Sequence, residues 1–148
     1  MKPIAGPWRR RLRAARSLRP ADMGFLDTAR LVGFVPTVDL PRARTFYAET
    51  LGLRVADESA FACVFDANGT MLRVTPVRNV ARARYTVLGW AVDDIDATVR
   101  GLTDAGVVFV RYRSMELDAL GIWTAPGGSR VGWFQDPDGN LLSLTQFA

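Results

Sequence analysis

The feature that most constrains the fold is an internal repeat. Near its end the chain reads Phe134-Gln-Asp-Pro-Asp-Gly-Asn-Leu-Leu-Ser-Leu-Thr-Gln146, and a shorter version occurs earlier as Phe65-Asp-Ala-Asn-Gly-Thr-Met-Leu-Arg-Val-Thr75. Each is a strand, a tight turn rich in Asp, Asn and Gly, and a returning strand. The likeness extends backwards, because Val32-Gly-Phe-Val-Pro-Thr-Val-Asp-Leu40 matches Val87-Leu-Gly-Trp-Ala-Val-Asp-Asp-Ile95. In both, an apolar strand closes on an Asp suited to capping a helix. The chain therefore reads as two tandem βαβββ modules, an α+β class.

Taken in order, residues 29–38 read as the first strand, and Asp39 opens a helix with Pro41 in its first turn. Ala43, Phe46, Tyr47 and Leu51 form the apolar stripe of that helix, and Gly52 ends it. Short strands follow at 53–57, 60–65 and 70–77, the last two joined at Asp66-Ala-Asn-Gly69. After an Arg-rich connection at 78–84, the second module has a strand at 85–92, a helix from Asp94 to Ala105 with Gly106 as its cap, and a strand starting at 107–110. From capping Asp to turn Gly the modules span 30 and 45 residues, Asp39 to Gly69 and Asp94 to Gly139. The surplus lies between Arg111 and Gly128 and includes Tyr112, Met115, Leu120 and Trp123. Two readings stay open for it: a loop folded over one mouth of the domain, or a longer hairpin away from any ligand.

Four pieces in this order, Val38-Asp-Leu-Pro-Arg-Ala-Arg-Thr-Phe-Tyr47, Leu51-Gly-Leu53, Val92-Asp-Asp-Ile95 and Asp136-Pro-Asp-Gly-Asn140, resemble the vicinal oxygen chelate superfamily of glyoxalases, bleomycin-resistance proteins and extradiol dioxygenases. The resemblance implies a cup-shaped mixed sheet with helices outside and a ligand or metal site within. In metal-using relatives the ligands come from the first and last strand of each module. Carried over, the first-strand position lies seven residues before the capping Asp, giving Val32 and Val87, and the last-strand position four after the turn Gly, giving Arg73 and Ser143. Two hydrocarbons, a cation and a neutral hydroxyl do not suit a divalent ion, and the chain has no His at all. Neither a metal nor any other cofactor is expected. Isomerisation of the glyoxalase type and iron-dependent ring cleavage lose their usual basis with the metal.

Because alternate residues of a strand share a face, Phe34, Pro36, Met71, Thr75, Gly89, Ala91, Leu141 and Thr145 are expected inward with those four positions. Pairing Phe65 with Thr70 and Gln135 with Asn140 adds Ala62, Val64, Gly132 and Phe134, and sends Trp90 and Trp133 outward to the helices. The expected cup is apolar with one charge. Its ligand-binding candidates are Val32, Phe34, Arg73, Val87, Trp123, Phe134 and Ser143. Arg73 favours a carboxylate, phenolate or phosphate on a flat or apolar body, and disfavours cationic bleomycin. The alternative is an Arg73 paired with Glu116 or Asp118. Trp123 is the aromatic candidate for stacking, with core packing as its other reading.

Charge is distributed unevenly. Residues 1–21 hold seven basic side chains and no acid, whereas the remainder holds 12 basic and 15 acidic ones, a net −3. Residues 1–28 read as a basic extension, disordered or placed before a true start at Met23, and residues 29–148 as the domain, with modules at 29–78 and 84–148. Trp8, Leu12, Ala15 and Arg19 keep helical spacing, so a basic amphipathic helix over 8–18 is the alternative. The single Cys63 excludes an internal disulfide and fits a reduced, cytoplasmic setting. The function expected is metal-independent binding of a small molecule by a homodimer, with drug sequestration as one use. No nucleic acid is expected on the core domain, and no membrane. Two alternatives stand beside it. One is a lyase, isomerase or dioxygenase-type enzyme with a non-standard site built from Glu58, Glu116 or Asp118. The other is an interaction protein acting through the basic arm on DNA or anionic lipid.

Overall fold

Two helix caps set the geometry of both modules. Asp39 accepts a hydrogen bond from the Arg42 backbone N–H at 3.0 Å and Asp94 one from that of Ala97 at 2.9 Å. They open α1 (Leu40–Thr45) and α2 (Ile95–Asp104). The next turn after α1, Phe46–Thr50, is wound more widely, with the Leu51 N–H bonded to the Phe46 carbonyl at 2.9 Å. Ala43 and Tyr47 are buried on the first helix, and Ile95 and Val99 on the second.

The computed structural model describes residues 24–148. The basic segment at 1–21, its proposed helix over 8–18 and Met23 lie outside the described residues. Residues 32–148 form one unit. In it, β1 (Val32–Thr37), β2 (Arg54–Glu58), β3 (Cys63–Ala67) and β4 (Thr70–Pro76) make a mixed sheet in the order β1-β4-β3-β2. The second sheet repeats the plan with β5 (Leu88–Ala91), β6 (Trp123–Thr124), β7 (Arg130–Gln135) and β8 (Leu141–Gln146) in the order β5-β8-β7-β6. In each, the first strand pairs in parallel with the last, which is the βαβββ repeat expected from the sequence.

Each sheet has a helix-side face and an open face. Val35, Leu72, Val74, Cys63 and Phe65 are buried on the helix side of the first, and Leu142, Leu144 and Phe134 on that of the second. These side chains form one continuous cluster with Tyr47, Ile95 and Val99.

The modules are also tied by polar groups. The β7–β8 turn docks on the first module: Asp138 accepts from the Thr37 hydroxyl at 2.6 Å and the Val38 N–H at 2.8 Å, with Arg42 at 3.4 Å. Asn140 Nδ2 donates to the Pro36 carbonyl at 2.9 Å and to Asp136 at 2.7 Å, and Asp136 accepts from the buried Tyr47 hydroxyl at 2.7 Å. Burial and the adjacent Asp136 raise the Tyr47 pKa far above its ordinary value, so its proton stays in that bond.

The strand expected at 107–110 reduces to one bridge, Phe109 to Phe134, while β6 pairs farther along the same edge of β7. The surplus residues of the second module thus interrupt a single edge strand. They are held by Arg111, which donates to the Ala119 carbonyl at 2.6 Å, and by Asp118, which accepts from the Leu120 and Ile122 N–H groups at 2.9 Å each.

Candidate functional site: the open faces of the two sheets

On the first sheet, β1 and β4 set Phe34 beside Arg73, and β3 sets Val64 on its other side. Val32 pairs with Met71, one step along the same face. Phe34 is 63% exposed, and Val32 and Met71 are exposed too. Arg73 is half-buried, and among the described residues it has no hydrogen-bonding or ion-pair partner. The acids considered as its partners lie elsewhere. Asp118 pairs with Arg130 at 3.2 Å and lines, with Glu116 and Trp123, a cavity of about 330 Å³. Glu58 pairs with Arg44 beside a separate cavity of about 170 Å³ over Cys63. Burial raises the Cys63 thiol pKa, which leaves it protonated and unreactive. At the outer edge of the open face the Arg54–Asp66 pair and Asp57 add charge, so that face carries more than the one charge expected.

On the second sheet, Gly89 lies beside Ser143, and Ser143 beside Trp133. Val87 precedes β5, its N–H bonded to the Leu141 carbonyl at 2.9 Å, and shares the Gly89 face. Trp123 is half-buried on this face, its ring 6.2 Å from that of Trp133, which Tyr112 meets edge-on at 5.6 Å.

Three assignments are corrected here. Phe134 is not on the open face: it is 0% exposed on the helix side, between Trp90 at 6.5 Å and Phe109 at 5.5 Å. Gly132 accompanies it, facing Phe109 and Val99. Trp133, expected against the helices, takes the open face instead. The cause is register: Gln135 pairs with Leu141 and not with Asn140, and a slip of one residue exchanges the faces of a strand. Trp90 does pack toward the core. Trp133 was legible only through the length of the β7–β8 turn.

Val32, Arg73, Val87 and Ser143 thus share the open faces, where the metal-ligand positions of the resemblance fall. Their chemistry does not fit a divalent ion. Among the described residues no three His, Cys, Asp or Glu side chains gather where one ion could be held.

A sequence profile described as Glyoxalase/Bleomycin resistance protein/Dioxygenase superfamily matches residues 28–144. The chain belongs to this superfamily. Solved structures of the superfamily share the fold at low identity. A bleomycin resistance determinant encoded on the transposon Tn5 is 20% identical with a TM-score of 0.64, over 81% of this chain and 98% of that one. A lactoylglutathione lyase from Agrobacterium tumefaciens is 17% identical with a TM-score of 0.64, over 80% and 93%. A superfamily member from Sphaerobacter thermophilus is 22% identical with a TM-score of 0.63, over 80% and 97%. No curated protein matches the sequence. At these identities the superfamily likeness carries the fold and leaves the chemistry to the residues on the open faces.

Proposed function

We propose that this chain binds a small acidic or aromatic molecule on the open faces of its sheets, without a metal ion and without turnover. The observation that carries this reading is Arg73, a half-buried cation between Phe34 and Val64 with no partner among the described residues. A guanidinium in apolar surroundings is stabilised by a planar anion that takes its paired donors. The exposed Val32, Phe34 and Met71 supply an apolar body for such a ligand. Binding without turnover fits sequestration of a drug or carriage of an acidic metabolite.

The exposed apolar side chains of these faces also support a homodimer, in which a second copy completes the cup. Among the described residues no helix is long and apolar enough to cross a membrane. Of the carboxylates that an enzyme reading would recruit, Glu58 and Asp118 are each paired with an arginine; Glu116 and Asp118 line one cavity and Glu58 another.

The test joins elemental analysis to a ligand screen. After incubation with manganese, zinc, nickel or iron and removal of the excess, less than stoichiometric retention is expected. In a thermal-shift screen, aromatic carboxylates and phosphates are expected to stabilise the chain, and Arg73→Ala to abolish the shift. One tightly held metal per subunit, or shifts unchanged in Arg73→Ala, would overturn the reading.

A further inference from the structure

The open face of the second sheet is ordered in rows. Across the strands, one row runs Gly89, Ser143, Trp133, and the next runs Ala91, Thr145, Val131, Trp123. Each begins with a small residue on β5, continues with a hydroxyl on β8 and ends at the aromatic edge made by Trp123 and Trp133. The β5 side is thus low, the β8 floor carries hydroxyls, and the far side is an aromatic wall. The arrangement is a trough.

Gly89 shows where the floor hydroxyl points. A Cβ on Gly89 would lie 2.7 Å from Ser143 Oγ and 3.8 Å from Thr86 Cγ2. Such a Cβ would project from the open face, so Oγ leans into the space that only glycine leaves free. Ser143 is 7% exposed, yet its hydroxyl makes no hydrogen bond to any described residue, and neither does that of Thr145. No fully enclosed side-chain oxygen or nitrogen among the described residues lacks a partner, which places Ser143 Oγ at the accessible part of its residue. A nearly buried hydroxyl without a partner among the described residues is stabilised by whatever polar group enters beside it.

We infer that this trough is a subsite for an aromatic ring, stacked against Trp133 and Trp123, whose hydroxyl or carbonyl substituent bonds to Ser143 and Thr145 across the gap at Gly89. A serine or threonine hydroxyl both donates and accepts, so it matches either substituent. Indole rings stack a flat ring at small entropic cost. The inference deepens the small-molecule reading above, which gives Arg73 the anionic group, and rests on it: the trough selects the ring and its second polar group.

The probes are benzoate and its three monohydroxy isomers, titrated against the full chain by ligand-observed NMR. At least one hydroxybenzoate is expected to bind about fivefold more tightly than benzoate, the worth of one neutral hydrogen bond. That advantage should vanish in the Ser143→Ala, Thr145→Val double variant, which removes hydroxyls without a partner among the described residues, so that the hydroxybenzoate binds no better than benzoate does. Gly89→Ala should weaken the hydroxylated probe and leave near-UV circular dichroism as it was; if it fails to fold, the hydroxyl variants still decide. An advantage that survives loss of both hydroxyls, or no advantage for any isomer, overturns the trough. Benzoate binding lost in Arg73→Ala but indifferent to hydroxylation overturns the trough alone, and absence of binding by all four acids overturns both readings.

Discussion

Tyr47 shows how one hydroxyl can join two repeats. Its ring is buried from the wide turn Phe46–Thr50 that follows α1, and its hydroxyl reaches Asp136 in the turn of the other module. Asp136 also accepts from the Asp138 and Asn140 N–H groups at 2.9 and 3.0 Å, so the carboxylate is buried with several donors. Tyr47→Phe keeps the packing and removes one of them. A loss of about 1–3 kcal/mol is expected, the cost of depriving a buried acceptor of a donor, read as a lower denaturant midpoint with unchanged slope. The sequence identified Tyr47 as core and Asp136 as part of a turn. It gave no sign that they meet, because 89 residues separate them.

The two hairpins, alike in sequence, differ in loop length, and that difference decides their faces. Asn68 and Gly69, both with positive φ at 53° and 88°, close a two-residue turn between Ala67 and Thr70. In the other hairpin Gln135 pairs with Leu141 around a longer turn in which Gly139, at φ 82°, bonds its N–H to the Asp136 carbonyl at 2.9 Å. The expected pairing was off by two residues in the first hairpin, which preserves faces, and by one in the second, which exchanges them. Hence Val64 kept its expected face but came to lie beside Arg73 instead of Met71, while Phe134 and Trp133 traded sides. Acid sensitivity also belongs to these elements. The Asp66 carboxyl is held below its usual pKa by the Gly69 N–H and Arg54, and the Asp96 carboxyl of α2 by Arg130. Lowered folded-state values mean that these groups stabilise the fold above the unfolded carboxylate range, and that this stability is lost as pH falls through the folded values. The Asp66→Asn, Asp96→Asn double variant should therefore show a flatter loss of melting temperature below about pH 4 than the parent chain.

At the scale of the whole molecule, the apolar side chains left exposed on the open faces argue for a second copy. Phe34→Asp puts a carboxylate at an exposed position away from the core cluster, so it should leave folding intact and shift light-scattering mass from dimer to monomer; a parent chain that is already monomeric refutes the pairing. The sequence by itself determined the repeat, the α+β class and the caps at Asp39 and Asp94. All of these rest on local periodicity and side-chain chemistry, which a linear chain already carries. Tertiary structure decided the rest: the docking of Asp136 and Asp138 on the first module, the split edge strand, the separate ion pairs of Glu58 and Asp118, and the side on which Phe134 and Trp133 lie. These depend on register and on contacts between distant segments, where one residue of turn length reverses a face while leaving the hydrophobic pattern unchanged.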